Sequence, residues 1–362
     1  MIPITHVSFT HEEEQAVVKV LRSGQLAQGE TVAAFEKQFA SYMGSGYAVA
    51  VANGTVALHI ALLALGIGPG DEVITTPYSF IASTNAILYV GATPVFVDIG
   101  KDFHIDAGKI EEKITKRTKA ILPVHLFGNV CDMDIIRDVA RRHDLKIIED
   151  ACQAHGAIYK SKKAGSIGDI GCFSFYATKN MTTGEGGMIV TDDKDINDYA
   201  KMARSHGGRV RYYHDFLGYN MRMTEMQAAL GLVQLAKLDR FNKIRREHAA
   251  YYNELLSDMP QLVTPVVAGC VQHVYHQYTI RVREQKEKNR QTLIHAFDGA
   301  GIGYGIYYPV PIHQQKELLV RGFRGNFPIA EQLSREALSL PVHPKITKKQ
   351  IHFIAEFIEK AL

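Results

Sequence analysis

Between residues 47 and 149, short apolar runs alternate with stretches whose apolar positions recur at helical spacing. Tyr47–Ala52 reads as a strand, and Thr55–Leu65 as a helix that Gly66 ends. Glu72–Thr76 predicts a strand, Phe80–Val90 a helix and Pro94–Asp98 a strand. Lys119–Val124 predicts a strand, Asp132–His143 a helix and Leu145–Glu149 a strand. Regular alternation of this kind predicts a mostly parallel sheet with helices on both faces.

The pattern changes from Thr224 to about Ser257. Met226, Ala229, Leu230, Val233, Leu238, Phe241, Ala249, Tyr252 and Leu255 keep a helical spacing, which predicts one long helix. Beyond it, Tyr278–Val282 and Gly305–Pro309 read as strands, and Gln291–Phe297 and Lys348–Leu362 as helices. The expected organisation is a large α/β domain over residues 1–240 and a small C-terminal α+β domain over 241–362, joined by the long helix.

Composition narrows the class. Hydrophobic residues make up 46% of the 362 positions and charged residues 22%, an ordinary globular balance. The net charge of +3 gives no electrostatic case for nucleic acid. No apolar run is long enough to span a membrane, and the N-terminus lacks the basic and apolar segments of a signal peptide. The four cysteines, Cys131, Cys152, Cys172 and Cys270, form no C-x-x-C pair. Small buried thiols in a reducing compartment are expected, and with them a cytoplasmic protein.

Parallel sheets bind ligands beyond the carboxyl ends of their strands, so chemistry is expected at strand ends. Asn53-Gly54-Thr55 joins a strand to a helix, where free N–H groups could seat a phosphate; a plain N-cap explains the same residues. Asp150 follows the apolar strand Leu145–Glu149 and suits a buried cation such as a pyridinium nitrogen, or equally a loop cap. Lys179 follows Phe173-Ser174-Phe175-Tyr176-Ala177-Thr178 and precedes the glycine-rich Thr183–Gly187. A desolvated lysine is a nucleophile toward carbonyls, while a strand-edge lysine reaching water needs no such role.

The chain resembles the DegT/DnrJ/EryC/StrS family of aminotransferases, which depend on pyridoxal 5'-phosphate (PLP) and act on nucleotide-linked keto sugars. The resemblance runs through Asn53–Leu58, Pro77–Phe80, Pro123–Gly128, Glu149–Gly156, Phe173–Lys179, Gly218–Arg222 and Tyr307–His313. It implies an aspartate-aminotransferase-like fold (PLP fold type I). It implies that Lys179 forms the Schiff base and moves the proton, that Asp150 partners the pyridine nitrogen, and that Gln153 lies beside the phenolic oxygen. It implies that Phe80 stacks on the ring and that Gly54, Thr55 and Ser174 hold the phosphate. Asn220 is implied to reach the phosphate in a neighbouring subunit, hence a homodimer with shared sites. His313 falls in a segment implied to lie near the sugar nucleotide. Asn53 and Cys152 stand where Ser and Ala are common in the family.

The expected activity is transamination of a nucleotide-linked keto-deoxysugar with glutamate or glutamine as donor. The same chemistry on a cyclitol or another ketone is the alternative, as is a PLP-binding sensory protein. Gly66–Gly70 follows a helix and reads as a helix end rather than a dinucleotide loop. His273 and His276, in a strand-like run, are expected to point to opposite faces, so no metal site is expected. The basic run Arg204–Arg211 is expected in a loop near the site, where it meets a nucleotide diphosphate or is simply solvated.

Overall fold

The computed structural model describes residues 1–283 and 289–362. Strands β1 (Tyr47–Val51), β2 (Glu72–Thr75), β3 (Thr93–Phe96), β4 (Thr118–Ile121) and β5 (Lys146–Asp150) come first in the chain. The short β6 (Ile158–Tyr159) and β7 (Lys162–Lys163) stand apart, and β8 (Ile170–Ser174) and β9 (Gly187–Thr191) follow. Seven of these form one sheet in the order β1-β9-β8-β5-β4-β2-β3. All run the same way except β9, which is antiparallel to both neighbours. The sheet is therefore mostly parallel, as the alternating pattern predicted.

Its strands are buried on both faces, and the alternation of side chains divides the core in two. Ala48, Ala50, Met188 and Val190 join the side that holds helix α2 (Glu30–Met43) and helix α5 (Met133–Arg142). Val49, Val51 and Ile189 join the side that holds α3 (Gly54–Ala64) and α4 (Ala82–Tyr89). Leu58, Ile60 and Leu62 of α3 are fully buried. Burying side chains of this size contributes about 2 kcal/mol each. Helix α1 (His11–Ser23) and helix α6 (Lys194–Ala203) complete the elements around this sheet.

The long helix is α7 (Glu225–Leu256). Its capping box is reciprocal: Gln227 N–H donates to the Thr224 side chain, and Thr224 N–H donates to Gln227. Leu235 and Leu238 pack in the first core, whereas Ala249, Tyr252 and Leu256 pack in a separate one. That second core lies under a three-stranded sheet of β10 (Leu262–Val263), β12 (Tyr278–Val282) and β13 (Ala337–Leu340). β11 (Val271–Gln272) pairs instead with β6. Helix α8 (Arg290–Ala300) and, after the short α9 (Lys316–Val320) and α10 (Pro328–Glu336), the terminal α11 (Lys348–Ala361) fill out this part.

Two local expectations fail. Gly305–Pro309 is not a strand beyond one bridge, between Gly305 and Ser339. The backbone of Tyr307 and Tyr308 is engaged by a side chain instead: Tyr78 Oη donates to the Tyr307 carbonyl at 2.8 Å and accepts from Tyr308 N–H at 3.0 Å. His273–His276 is likewise not a strand. Its flanking amides bond to the Phe127–Gly128 turn, from Val274 N–H to Gly128 and from Gln277 N–H to Phe127. A turn packed on a turn has no alternating faces.

Candidate active site

The carboxyl ends of β1, β5 and β8 open on a cavity of about 560 Å³. β1 leads through Asn53 into the N-terminus of α3, β5 ends in Asp150, and β8 ends in Ser174. Gly54, Thr55, Phe80, Asp150, Gln153, Ser174 and Lys179 all line this one cavity. Residues separated by up to 125 positions thus meet because parallel strands deliver their carboxyl ends to the same edge.

Asn53 is the N-cap of α3, its Oδ1 accepting from Val56 N–H at 3.0 Å. The cap and the anion seat are compatible, because the side chain occupies one amide and leaves the helix mouth facing the cavity. Gly54 is required by proximity. A Cβ there would stand 2.7 Å from Ser174 Cβ and 3.0 Å from Cys152 Sγ. Only glycine lets the helix mouth abut the end of β8, where the Ser174 hydroxyl sits beside it.

Asp150 is 6% exposed and is no solvated loop cap. Ser83 Oγ of α4 donates to its Oδ2 at 2.7 Å, and Cys152 N–H donates to Oδ1 at 3.2 Å. The preceding Glu149 binds His125 and the turn at residues 165–168. Burial alone would raise the Glu149 carboxyl, but His125 at 2.8 Å and the Gly168 and Gly165 amides hold it below the usual range. Gln153 accepts from Phe127 N–H at 2.8 Å through Oε1, which turns its Nε2 toward Tyr308 Oη at 3.2 Å. Phe80 is 55% exposed although it is aromatic, and its ring faces that of Tyr308 at 6.2 Å.

Burial pushes the Lys179 ammonium down from its ordinary value, against the opposing pull of Cys152 and Asp150. A greater share is therefore free amine at neutral pH than for a surface lysine. Gly186 and Gly187 after it serve the chain's own packing. A Cβ on Gly187 would fall 2.3 Å from the Asn53 carbonyl, so β9 begins hard against the turn that carries Gly54.

Two expected residues lie elsewhere. Asn220 is exposed and outside the cavity, in a bridge with Ser205. His313 is buried against Phe327, with Nε2 3.1 Å from Glu331, and does not line the cavity. The basic run also stays outside: Arg204 is buried against Glu36 and the Ala50 carbonyl, and Arg209 and Arg211 line a separate surface hollow. Sequence reasoning missed Ser83, Cys152, His276 and Tyr308 as cavity residues. Tyr308 was hidden by the strand reading and His276 by being weighed only as a metal ligand. Among the described residues no group of three or more ligating side chains could hold a metal.

The profile of the DegT/DnrJ/EryC1/StrS aminotransferase family matches residues 8–359. The chain is 41% identical to a protein of Geobacillus stearothermophilus named pleiotropic regulatory protein, over 99% of this chain and 97% of that one. It is 43% identical to the GDP-perosamine synthase of Caulobacter vibrioides, over 92% of this chain and 91% of that one. Its fold superposes on the PLP form of Spr1654 from Streptococcus pneumoniae with a TM-score of 0.94, at 31% identity, covering all of this chain and 99% of that one.

Proposed function

The chain belongs to the DegT/DnrJ/EryC1/StrS aminotransferase family, and we propose that it transfers an amino group from glutamate or glutamine to the keto group of a nucleotide-linked deoxysugar, with PLP as cofactor. The observation that carries this reading is the convergence of Lys179, Asp150 and the mouth of α3 on one cavity. That set fits PLP: an amine for an aldehyde, a buried carboxylate for a ring nitrogen, and a helix N-terminus with the Thr55 and Ser174 hydroxyls for a phosphate. Gln153 Nε2 suits the phenolic oxygen, and Phe80 supplies a ring face. When bound, PLP supplies an electron sink that stabilises negative charge at the carbon losing its proton.

The residues do the rest. Asp150, held by Ser83 and the Cys152 amide, keeps its charge fixed at one place in the cavity. Lys179 Nζ accepts the proton from the donor carbon as free amine and returns it as ammonium, so its lowered basicity suits both directions. The name of the Caulobacter relative supports a nucleotide-sugar acceptor. Four free cysteines suit a reducing compartment, and we place the protein in the cytoplasm.

We further propose a homodimer with shared sites. Asn220 is exposed and does not line its own cavity, and the preceding loop exposes Val210, Tyr212, Tyr213 and Leu217. Such aromatic and aliphatic exposure suits a partner surface.

The test is amination of a panel of keto-deoxysugar nucleotides by the full chain with PLP and glutamate, read by mass spectrometry. At least one should be converted, and Lys179→Ala should convert none. Full turnover by Lys179→Ala would remove the central assignment. A second reading, a PLP-binding regulator, is favoured by the name of the Geobacillus relative. Uptake of PLP with no discharge by any amino donor would select it.

A further inference from the structure

The charged walls of the cavity are Asp150, Glu185 and Lys179, and the lysine is engaged in the chemistry. A diphosphate placed there would meet two carboxylates and no spare cation. The cations stand next door. A surface hollow of about 550 Å³ is lined by Arg209, Arg211 and Arg222, with His206 and His214. Among the described residues no carboxylate lines it. Arg222 ties the hollow to the cavity. Its backbone pairs with that of Val51, two residues before the cavity-lining Asn53, or about 7 Å of extended chain.

The segment that carries the arginines is stitched together rather than loose. His206 N–H donates to the Tyr219 carbonyl at 2.8 Å, Tyr219 N–H to Ala203 at 2.7 Å, and Asp215 N–H to Gly207 at 2.8 Å. Glycine is needed where its two arms touch. A Cβ on Gly207 would fall 2.0 Å from the Phe216 carbonyl oxygen, and one on Gly218 would fall 1.9 Å from the Gly207 nitrogen. Arg209 and Arg211 are exposed, and among the described residues neither bonds to a carboxylate. Arg209 Nε meets Met202 Sδ at 3.3 Å, and the Arg211 guanidinium lies 4.9 Å over the Tyr212 ring. Asp198 is held first by Lys194, at 2.6 Å, and feels Arg209 only as a lesser charge.

We propose that this hollow seats the diphosphate of the nucleotide-linked substrate, with Arg209 and Arg211 as its ligands. A guanidinium presents parallel N–H donors that match two phosphate oxygens. Neither arginine has to surrender a carboxylate to receive them, so the diphosphate gains contacts without breaking any ion pair. The stitched loop fixes the backbone beneath both side chains, which lowers the cost of ordering them around an anion. The division of labour follows from charge: the sugar's keto group goes to the amine, and the anionic part stays with the arginines outside the carboxylate-lined cavity. The proposal rests on the acceptor being nucleotide-linked.

Its test uses the full chain loaded with PLP, so that the cofactor's own phosphate seat is filled, and inorganic pyrophosphate as the probe. Binding is read by titration calorimetry. The double variant Arg209→Gln, Arg211→Gln should bind pyrophosphate at least about tenfold more weakly, the scale of one lost charged hydrogen bond. The double variant Arg209→Lys, Arg211→Lys keeps the charges without the fork and should fall between the two. A folded glutamine pair with unchanged affinity would overturn the proposal. So would a lysine pair no better than the glutamine pair, since the loss would then be structural. Pyrophosphate should also raise the KM for the keto-sugar nucleotide, in competition with it. Binding in the hollow without that competition would mark an adventitious anion only and sink the assignment. If no keto-sugar nucleotide is aminated at all, the proposed function falls and this substrate with it. Loss of the pyrophosphate effects alone leaves that function standing, so the two failures are distinguishable.

Discussion

Asp150 shows how much one side chain can be read before its neighbours are known. Its place after an apolar strand marked it as a strand-end acid, and two uses stood level. The structure shows that the side chain is buried and held by a partner that no local pattern reveals, Ser83 of α4, 67 positions away. The side chain is aimed by two donors and retains a carboxylate surface toward the cavity. Asp150→Asn preserves that shape and removes the charge. The chemical step should slow by at least about a hundredfold, the scale of one lost electrostatic stabiliser in a preorganised site. Thermal unfolding should barely change. A near-normal single-turnover rate would show that the charge is not used. Lys179 was singled out by its setting, but the reduced basicity that makes it a ready amine comes from walls supplied by other segments.

Helix α3 carries the clearest prediction for an element. Its apolar residues made it legible, and the structure differs from the expected Thr55–Leu65 by only one residue at either end. Its approach to β8 was not legible, because closeness between Gly54 and Ser174 is a property of the packed sheet. Gly54→Ala forces a methyl against Ser174 and Cys152. The cost should be about 1–3 kcal/mol, the usual range for overpacking, seen as a lower thermal midpoint. The helix mouth must also retreat from Ser174, so PLP should be held at least about tenfold more weakly by equilibrium titration, one lost charge-assisted contact. Unchanged cofactor affinity would place the phosphate elsewhere. Long α7 was read within a residue at each end because its spacing and its Thr224–Gln227 box are local signals. Gly305–Pro309 misled for the converse reason: the backbone of Tyr307 and Tyr308 bonds to the Tyr78 hydroxyl of the large sheet region rather than in a ladder.

At the scale of the whole molecule, the proposed homodimer would make each site the joint product of two chains. Asn220 and its exposed loop leave the cavity untouched in their own chain, which motivates a mixing experiment. Lys179→Ala and Asn220→Asp chains, each inactive or impaired alone, should exchange into dimers in which one site carries both lesions and the other none. Random exchange makes half the dimers mixed with one intact site each, so activity should rise toward roughly a quarter of the unmodified level. A mixture that stays at the average of its parents, after exchange is confirmed, would assign Asn220 to its own chain. The parallel α/β architecture and the long connecting helix were legible along the chain, as were a lysine, an acid and a helix mouth after strands as candidates. These are written in periodicity, capping residues and turn glycines, all of which act over a few positions. Three-dimensional packing set the rest: Ser83 bonds to Asp150, His276 lines the cavity with Nδ1 against Asn180, and His313 pairs with Glu331. Those outcomes depend on which side chains meet across the sheet and the turns, and hydrogen-bond partners tens of residues apart leave no mark in local spacing.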